Sequence, residues 1–265
     1  MTDTPAAYDP AADRNDYGLK DKVAFVTGAT SGLGRQFSLA LARAGCHVVV
    51  SGRRRERLDA LVREVEALGV RAMALPLDVN NTQAVRDAVV QAERTLGPIW
   101  VLVNNSGVAL TKRIVDITPE DYDWLMDTNL KAAFFMAQSV ARHMIDGKRQ
   151  GRIINIASIG AFKPLGQGSI YSMSKAAVVQ MTKAMALEWA RYGINVNAIC
   201  PGYIRTEMNA DWFDSEIGQR QMQAFPRRRI GRDTDLNGLL LLLASEGSQF
   251  ITGSAMVADD GQLLA

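Results

Sequence analysis

A doubly wound α/β fold, with one parallel sheet covered by helices on both faces, is what this 265-residue sequence predicts. Two observations carry the prediction. Seven runs of strand length are mainly continuous apolar stretches rather than alternating ones, which implies strands buried on both faces. Helical patterns separate these runs, and repeated βα units build a parallel sheet with right-handed crossovers. In such a sheet, ligands bind outside the carboxyl ends of the strands, where strand order reverses.

The first strand is expected over Val23–Val26, followed by a helix over Leu33–Ala44. His47–Ser51 reads as the second strand and precedes a charged amphipathic helix from Arg54 to Leu68. Arg71–Leu75, Ile99–Val103, Arg152–Ala157 and Asn195–Ile199 follow as buried strands, and a short last strand spans Ala255–Ala258. One domain is expected over residues 19–265, a length that buries a core without disulfides. Residues 1–18 are small and polar, include Pro5 and Pro10, and read as a loosely ordered extension rather than a secretory signal.

Composition narrows the function classes. Hydrophobic residues make up 48% and charged residues 22%, as in ordinary globular proteins. A net charge of +2 does not suggest a nucleic-acid partner. No stretch approaches the roughly 20 apolar residues needed to cross a membrane. Cys46 and Cys200 lie in apolar runs and read as buried, reduced thiols, so a cytoplasmic location is expected.

Between the first strand and first helix stands Thr27-Gly28-Ala29-Thr30-Ser31-Gly32-Leu33-Gly34. A helix N-terminus offers unpaired N–H groups and a partial positive charge, which suit a pyrophosphate. Gly28 permits the tight turn, Gly32 lets a phosphate approach the backbone, and Gly34 lets helix and strand pack closely. Thr30, Ser31 and Leu33 belong to the same cradle.

Ser158 follows the fifth strand, and Tyr171 and Lys175 follow it at helical i, i+4 spacing. On a helix the two stand one turn apart on one face. A free tyrosine, with a pKa of about 10, is a poor base at neutral pH. A neighbouring ammonium is expected to favour the phenolate and bring that value down. Ser158 can donate a hydrogen bond to a substrate oxygen that gains charge. Ser172 and Ser174 point to other helix faces and are set aside.

The ordered series of glycine turn, Ser158, Tyr171 and Lys175 resembles the short-chain dehydrogenase/reductase family from Leu19 to Gly261. The resemblance implies a Rossmann-type fold, and hydride transfer between a nicotinamide cofactor and a carbonyl or secondary alcohol, with Tyr171 as proton donor or acceptor. It implies that Lys175 also holds the nicotinamide ribose. Asn129, a polar residue in an apolar helical stretch, resembles the family's fourth active-site residue and is expected to hold a water leading to Lys175; alternatively it ends a helix.

The second strand ends Ser51-Gly52-Arg53-Arg54, with no acid to accept a ribose 2′-OH. Arg53, and secondarily Arg54, can pair with the 2′-phosphate of NADP, and Ser51 can add a hydroxyl. NADP(H) is therefore expected over NAD(H). Asp78-Val79 stands where the family contacts adenine, although Asp78, Asn80 or Asn81 could equally cap a helix. Asn104-Asn105-Ser106-Gly107 resembles the family's Asn-Asn-Ala-Gly motif, with Ser106 in place of alanine. Pro201-Gly202 resembles the family's turn after the sixth strand, and Ile204 and Thr206 are expected against the nicotinamide carboxamide.

Residues 205–232 read as a substrate loop, with Met208, Trp212, Phe213, Met222 and Phe225 forming a partly apolar lid. Arg227, Arg228, Arg229 and Arg232 either bind the phosphates of a coenzyme A or carrier-protein substrate or are solvated or subunit contacts. Gln262 stands where the family usually has a second glycine, which implies a local variation in turn geometry. The substrates implied are 3-oxoacyl thioesters, sugar acids, polyols or similar ketones, and the protein is expected to be a homo-oligomer, tetramer or dimer. The competing reading is a catalytically silent NADP-binding sensor or scaffold on the same fold, which the presence of both Tyr171 and Lys175 disfavours. An epimerase or dehydratase of the longer-chain relatives is disfavoured by the glycine spacing and the lack of extra C-terminal length.

Overall fold

The computed structural model describes residues 17–207 and 210–265. The extension expected over residues 1–18 lies, except for its last two positions, outside the described residues, as do Met208 and the side chain of Trp212.

The chain builds one seven-stranded parallel sheet in the order β3-β2-β1-β4-β5-β6-β7. Its strands are β1 (Val23–Val26), β2 (His47–Gly52), β3 (Ala72–Pro76), β4 (Ile99–Asn104), β5 (Gly151–Ile156), β6 (Ile194–Pro201) and β7 (Ala255–Ala258). All seven expected strands form, with ends shifted by a residue or two. The order reverses between β1 and β4, so the crevice expected for a ligand opens at their carboxyl ends.

The register decides what meets there. Val26 pairs with Val50 on one side and Val103 on the other. Ile156 pairs with Ile199, and Pro201 with Ala258. The residues immediately beyond these pairs, Thr27, Ala157 and Gly202, therefore share one sheet edge with the groups that follow them.

Helices cover both faces. Helices α1 (Gly32–Arg43), α2 (Arg55–Glu66) and α9 (Asn237–Ala244) lie on one. On the other are α3 (Thr82–Leu96), α5 (Ala132–Asp146) and α6 (Ser169–Trp189). Alternate strand residues serve the two cores. Phe25, Val49, Leu102 and Ile153 pack towards the α3–α5–α6 side, whereas Ala24, Val48, Val101 and Ile154 pack towards the α1–α2–α9 side. This two-faced burial is why the strands read as unbroken apolar runs.

Helix α4 (Pro119–Met126) begins with a capping box between Thr118 and Asp121, and Pro119 takes a first-turn position where its missing N–H costs nothing. Between α4 and α5 the backbone makes a π-helical turn over Asp127–Lys131. The two short helices α7 (Ala210–Asp214) and α8 (Glu216–Ala224) lie in the segment read as the substrate loop. Among the described residues, no helix is long and apolar enough to cross a membrane. Helix α6 buries Val178, Val179, Met181 and Met185, but one flank stays open, with Leu187 84% exposed.

Candidate active site

Two glycines and two side chains shape the turn after β1. Gly28 has φ +64°, in the left-handed region where a Cβ is unfavourable. A Cβ on Gly34 would lie 2.3 Å from the carbonyl oxygen of Gly28 and 2.4 Å from Asn105 Nδ2. Only glycine fits there. Asn105 Nδ2 donates to the carbonyls of Thr27 and Gly28, at 3.0 and 3.2 Å. Thr27 Oγ1 accepts from the backbone N–H groups of both Asn105 and Ser106, each at 3.0 Å. The motif after β4 therefore clamps the glycine turn.

The cradle suits a dinucleotide. Ser31 caps α1 without any side-chain capping bond, and no acidic residue occupies the first turn. The N-terminal N–H groups and the positive end of the helix dipole are thus left for an anion. Arg54 Nη2 donates to Thr30 Oγ1 at 2.7 Å and to Ser31 Oγ at 3.1 Å. Its guanidinium sits on two neutral hydroxyls beside the turn, as an anion-binding cation would.

The sequence favours Arg53 for the phosphate, but Arg54 is the arginine that reaches the turn, because as the residue that caps α2 it lies at the helix start facing α1. Ser51 is fully buried and bonds to the carbonyl of Val26 at 3.3 Å, so it braces β2 against β1. Asp78 does not cap α3. Asn81 does, accepting from the N–H groups of Gln83 and Ala84, while Asp78 accepts from Asn80 N at 3.0 Å. Val79 packs into the core beneath the same edge.

The proton-handling groups gather at the ends of β5 and α6. Ser158 is buried and accepts from Gly160 N at 3.0 Å. The side chain of Tyr171 is hydrogen-bonded to that of Ser158. Lys175 is 5% exposed; its Nζ donates to the carbonyl of Ile156 at 2.8 Å and lies 5.7 Å from the centre of the Tyr171 ring. A Cβ on Gly107 would stand 3.3 Å from Asn129 Oδ1 and 3.5 Å from Lys175 Nζ, so three separated segments meet at that glycine.

Asn129 is 1% exposed and sits in the π-helical turn rather than at a helix end. Its Oδ1 accepts from Val108 N at 2.7 Å, and its Nδ2 donates to the Val108 carbonyl and to Ser174 Oγ at 2.9 and 3.0 Å. Ser174 Oγ in turn donates to the Tyr171 carbonyl at 2.7 Å. Ser174, which helical periodicity alone sets aside, is thus the link by which Asn129 holds the helical turn that carries Tyr171. A π turn accommodates one extra residue in a helix and so redirects a side chain inward.

The electrostatics differ from expectation in one respect. Burial pushes the Tyr171 phenol above its ordinary 10.0, opposed by the hydrogen bond from Ser158. The Lys175 ammonium lies 5.7 Å from the centre of the ring and donates to the Ile156 carbonyl. Burial lowers Lys175 itself from 10.5 to about 8. Cys200, at the end of β6, is buried and free, and burial raises its thiol to about 11.

Beyond β6, Ile204 bridges to Gly231, and Arg205 N donates to the Gly231 carbonyl at 3.0 Å. The segment read as a substrate loop is thus closed at its base within a residue of both expected ends. Tyr203 stacks on Phe225 at 5.4 Å and meets Phe213 edge-on at 5.6 Å, so two of the residues expected in an apolar lid pack on one aromatic ring. Gln262 does more than vary a local turn. Its buried side chain accepts from Tyr203 N at 2.7 Å and fills the space beside Gly202. Three of the four arginines are ion-paired: Arg227 and Arg229 with Asp260, and Arg229 and Arg232 with Asp235.

The short chain dehydrogenase family matches residues 22–217. The chain belongs to that family. It is therefore an enzyme, a nicotinamide-dependent oxidoreductase. It is 37% identical over 246 residues to gluconate 5-dehydrogenase of Gluconobacter oxydans, covering 92% of this chain and 96% of that protein. Against 2-dehydro-3-deoxy-D-gluconate 5-dehydrogenase of Escherichia coli the identity is 36% over 248 residues, covering 93% and 97%. A crystal structure of a gluconate 5-dehydrogenase from Burkholderia cenocepacia, in complex with NADP and tartrate, superposes with a TM-score of 0.90 at 34% identity, covering 94% of this chain and 98% of that one.

Proposed function

We propose that the protein is an NADP(H)-dependent dehydrogenase/reductase that interconverts a secondary alcohol and a ketone on a polyhydroxy acid of the gluconate type, with Tyr171 as the proton-transfer group. The convergence of Ser158, Tyr171, Lys175 and Asn129 at the carboxyl edge of the sheet carries the reading. The relatives named for gluconate and its keto-deoxy analogue support the substrate class, as does the neighbour crystallised with NADP and tartrate.

The residues at hand account for binding. Thr30, Ser31, Gly32, Leu33 and Gly34 would hold the pyrophosphate, and Arg54 with Arg53 the 2′-phosphate. Asp78 and Val79 would face the adenine, and Asn105, Ser106 and Gly107 the nicotinamide side. Pro201, Gly202, Ile204 and Thr206 would line the carboxamide. When bound, the cofactor supplies or accepts the hydride.

Tyr171 keeps its proton at neutral pH, since burial raises its pKa. That suits it to donate to a ketone oxygen, with Ser158 supplying a hydrogen bond as charge develops there. Lys175 holds a positive charge below about pH 8 and stabilises the phenolate left behind. Asn129 positions the turn that carries Tyr171. The thioester alternative draws less support, because Asp235 and Asp260 occupy most of the arginines that would bind coenzyme A phosphates. A working assembly of two or four copies would cover the fully exposed Phe250 and the flank at Leu187.

A screen of NADPH oxidation with 5-ketogluconate, a 3-oxoacyl thioester and a simple ketone tests the substrate. The keto acid should turn over fastest; preference for the thioester would overturn the reading. Arg54→Ala should weaken NADPH binding by about tenfold, the value of one charge-assisted contact of about 1.4 kcal/mol.

A further inference from the structure

Glu207 joins the substrate loop to the rim of the cofactor cradle. Its Oε2 lies 2.9 Å from Arg57 Nη1, across 150 residues of chain. Arg57 lies in the first turn of α2, the helix that Arg54 caps. Arg54 rests on Thr30 and Ser31. Thr206, next to Glu207, lies against the turn itself: a Cβ on Gly32 would stand 3.5 Å from its methyl group. The segment Thr206–Glu207 thus touches the glycine turn and the arginine cluster together.

The charges around this point do not balance. Arg35 pairs with Glu64 at 2.5 Å and Arg55 with Asp59 at 3.0 Å. Arg57 pairs with Glu207. Among the described residues, no carboxylate pairs with Arg53 or Arg54. Two guanidinium groups are left for an incoming dianion. Glu64 and Asp59 belong to α2, whereas Glu207 reaches the cluster from the substrate loop. Its hydrogen bond from Arg57, aided by the more distant Arg54 and Arg35, holds the carboxyl below its usual range, so it is charged at neutral pH.

We infer that Glu207 is a cofactor-specificity residue, whose carboxylate competes with a ribose 2′-phosphate for the Arg54–Arg57 cluster. A phosphate-bearing dinucleotide displaces Glu207 from Arg57 and frees the segment Thr206–Glu207. A dinucleotide lacking the phosphate leaves the ion pair closed. The inference rests on the NADP(H) reading above, and it assigns to the base of the substrate loop a contact that senses which cofactor is bound.

Calorimetric titration of the wild type and Glu207→Gln with NADPH, NADH and 2′,5′-ADP tests it. The Glu207 side chain is 69% exposed, so the substitution leaves the core alone. Removing one like charge beside the phosphate should raise the ratio of the NADH to the NADPH dissociation constant about three- to tenfold, and less at high salt. Binding of 2′,5′-ADP should tighten in parallel. A wild type that prefers NADPH, with a ratio unmoved or lowered by Glu207→Gln, overturns this inference alone. A wild type that prefers NADH overturns the cofactor reading and the inference with it.

Discussion

Replacing Lys175 with methionine should stabilise the protein at neutral pH while removing its turnover. The ammonium is 5% exposed, and burial has lowered its pKa from 10.5 to about 8. By linkage, holding that charge in the core at pH 7 costs about 3 kcal/mol relative to the unfolded chain. Methionine has a similar length, carries no charge, and forfeits only the hydrogen bond to the Ile156 carbonyl, about 1 kcal/mol. The net gain should be about 2 kcal/mol in urea unfolding at pH 7, from the same linkage and hydrogen-bond terms.

The pH dependence gives the sharper test. Below about pH 8 both native and unfolded wild type carry the lysine proton, so the cost is fully present. Between about 8 and 10.5 the unfolded chain binds more protons than the native one, and wild-type stability rises with pH. The gap between variant and wild type should therefore close by about 1.4 kcal/mol per pH unit across that window. A variant less stable than wild type at pH 7, or a gap independent of pH, would refute the reasoning.

Three further perturbations test the site. Tyr171→Phe should lower kcat by about 10²–10⁴-fold while NADPH affinity, read by fluorescence titration, stays near wild type, since only the proton-transfer oxygen is removed. Gly34→Ala places a Cβ 2.3 Å from the Gly28 carbonyl, and should cost about 2–3 kcal/mol in urea unfolding and weaken dinucleotide binding. Asn129→Ala leaves the N–H and C=O of Val108 without their partner; it should cost about 2–4 kcal/mol and depress kcat more than KM, because the turn carrying Tyr171 loses its tether.

Features that depend on near neighbours in the chain are legible in the sequence. The apolar runs mark all seven strands, and in the five inner ones burial on both faces is written into consecutive residues. Gly28, Gly32 and Gly34 mark the turn by their spacing, and Tyr171 and Lys175 mark one helix face by theirs. The limits of the segment 205–232 are also readable, since Ile204 and Gly231 bridge within a residue of them.

What the tertiary structure alone decides involves partners far apart in sequence. Asn129 meets Ser174 across 45 residues, and Gln262 meets Tyr203 across 59. Neither pairing has a local signature, because hydrogen-bond partners on different elements are set by how the sheet edge brings those elements together. That Arg54 bonds to Thr30 and Ser31 depends on where the first residues of α2 point, which adjacent arginines in a sequence do not distinguish. The direction of the Tyr171 shift is of the same kind. Helical spacing places Lys175 one turn away, but only the packed structure shows how far the phenol is desolvated, an effect that outweighs the hydrogen bond from Ser158.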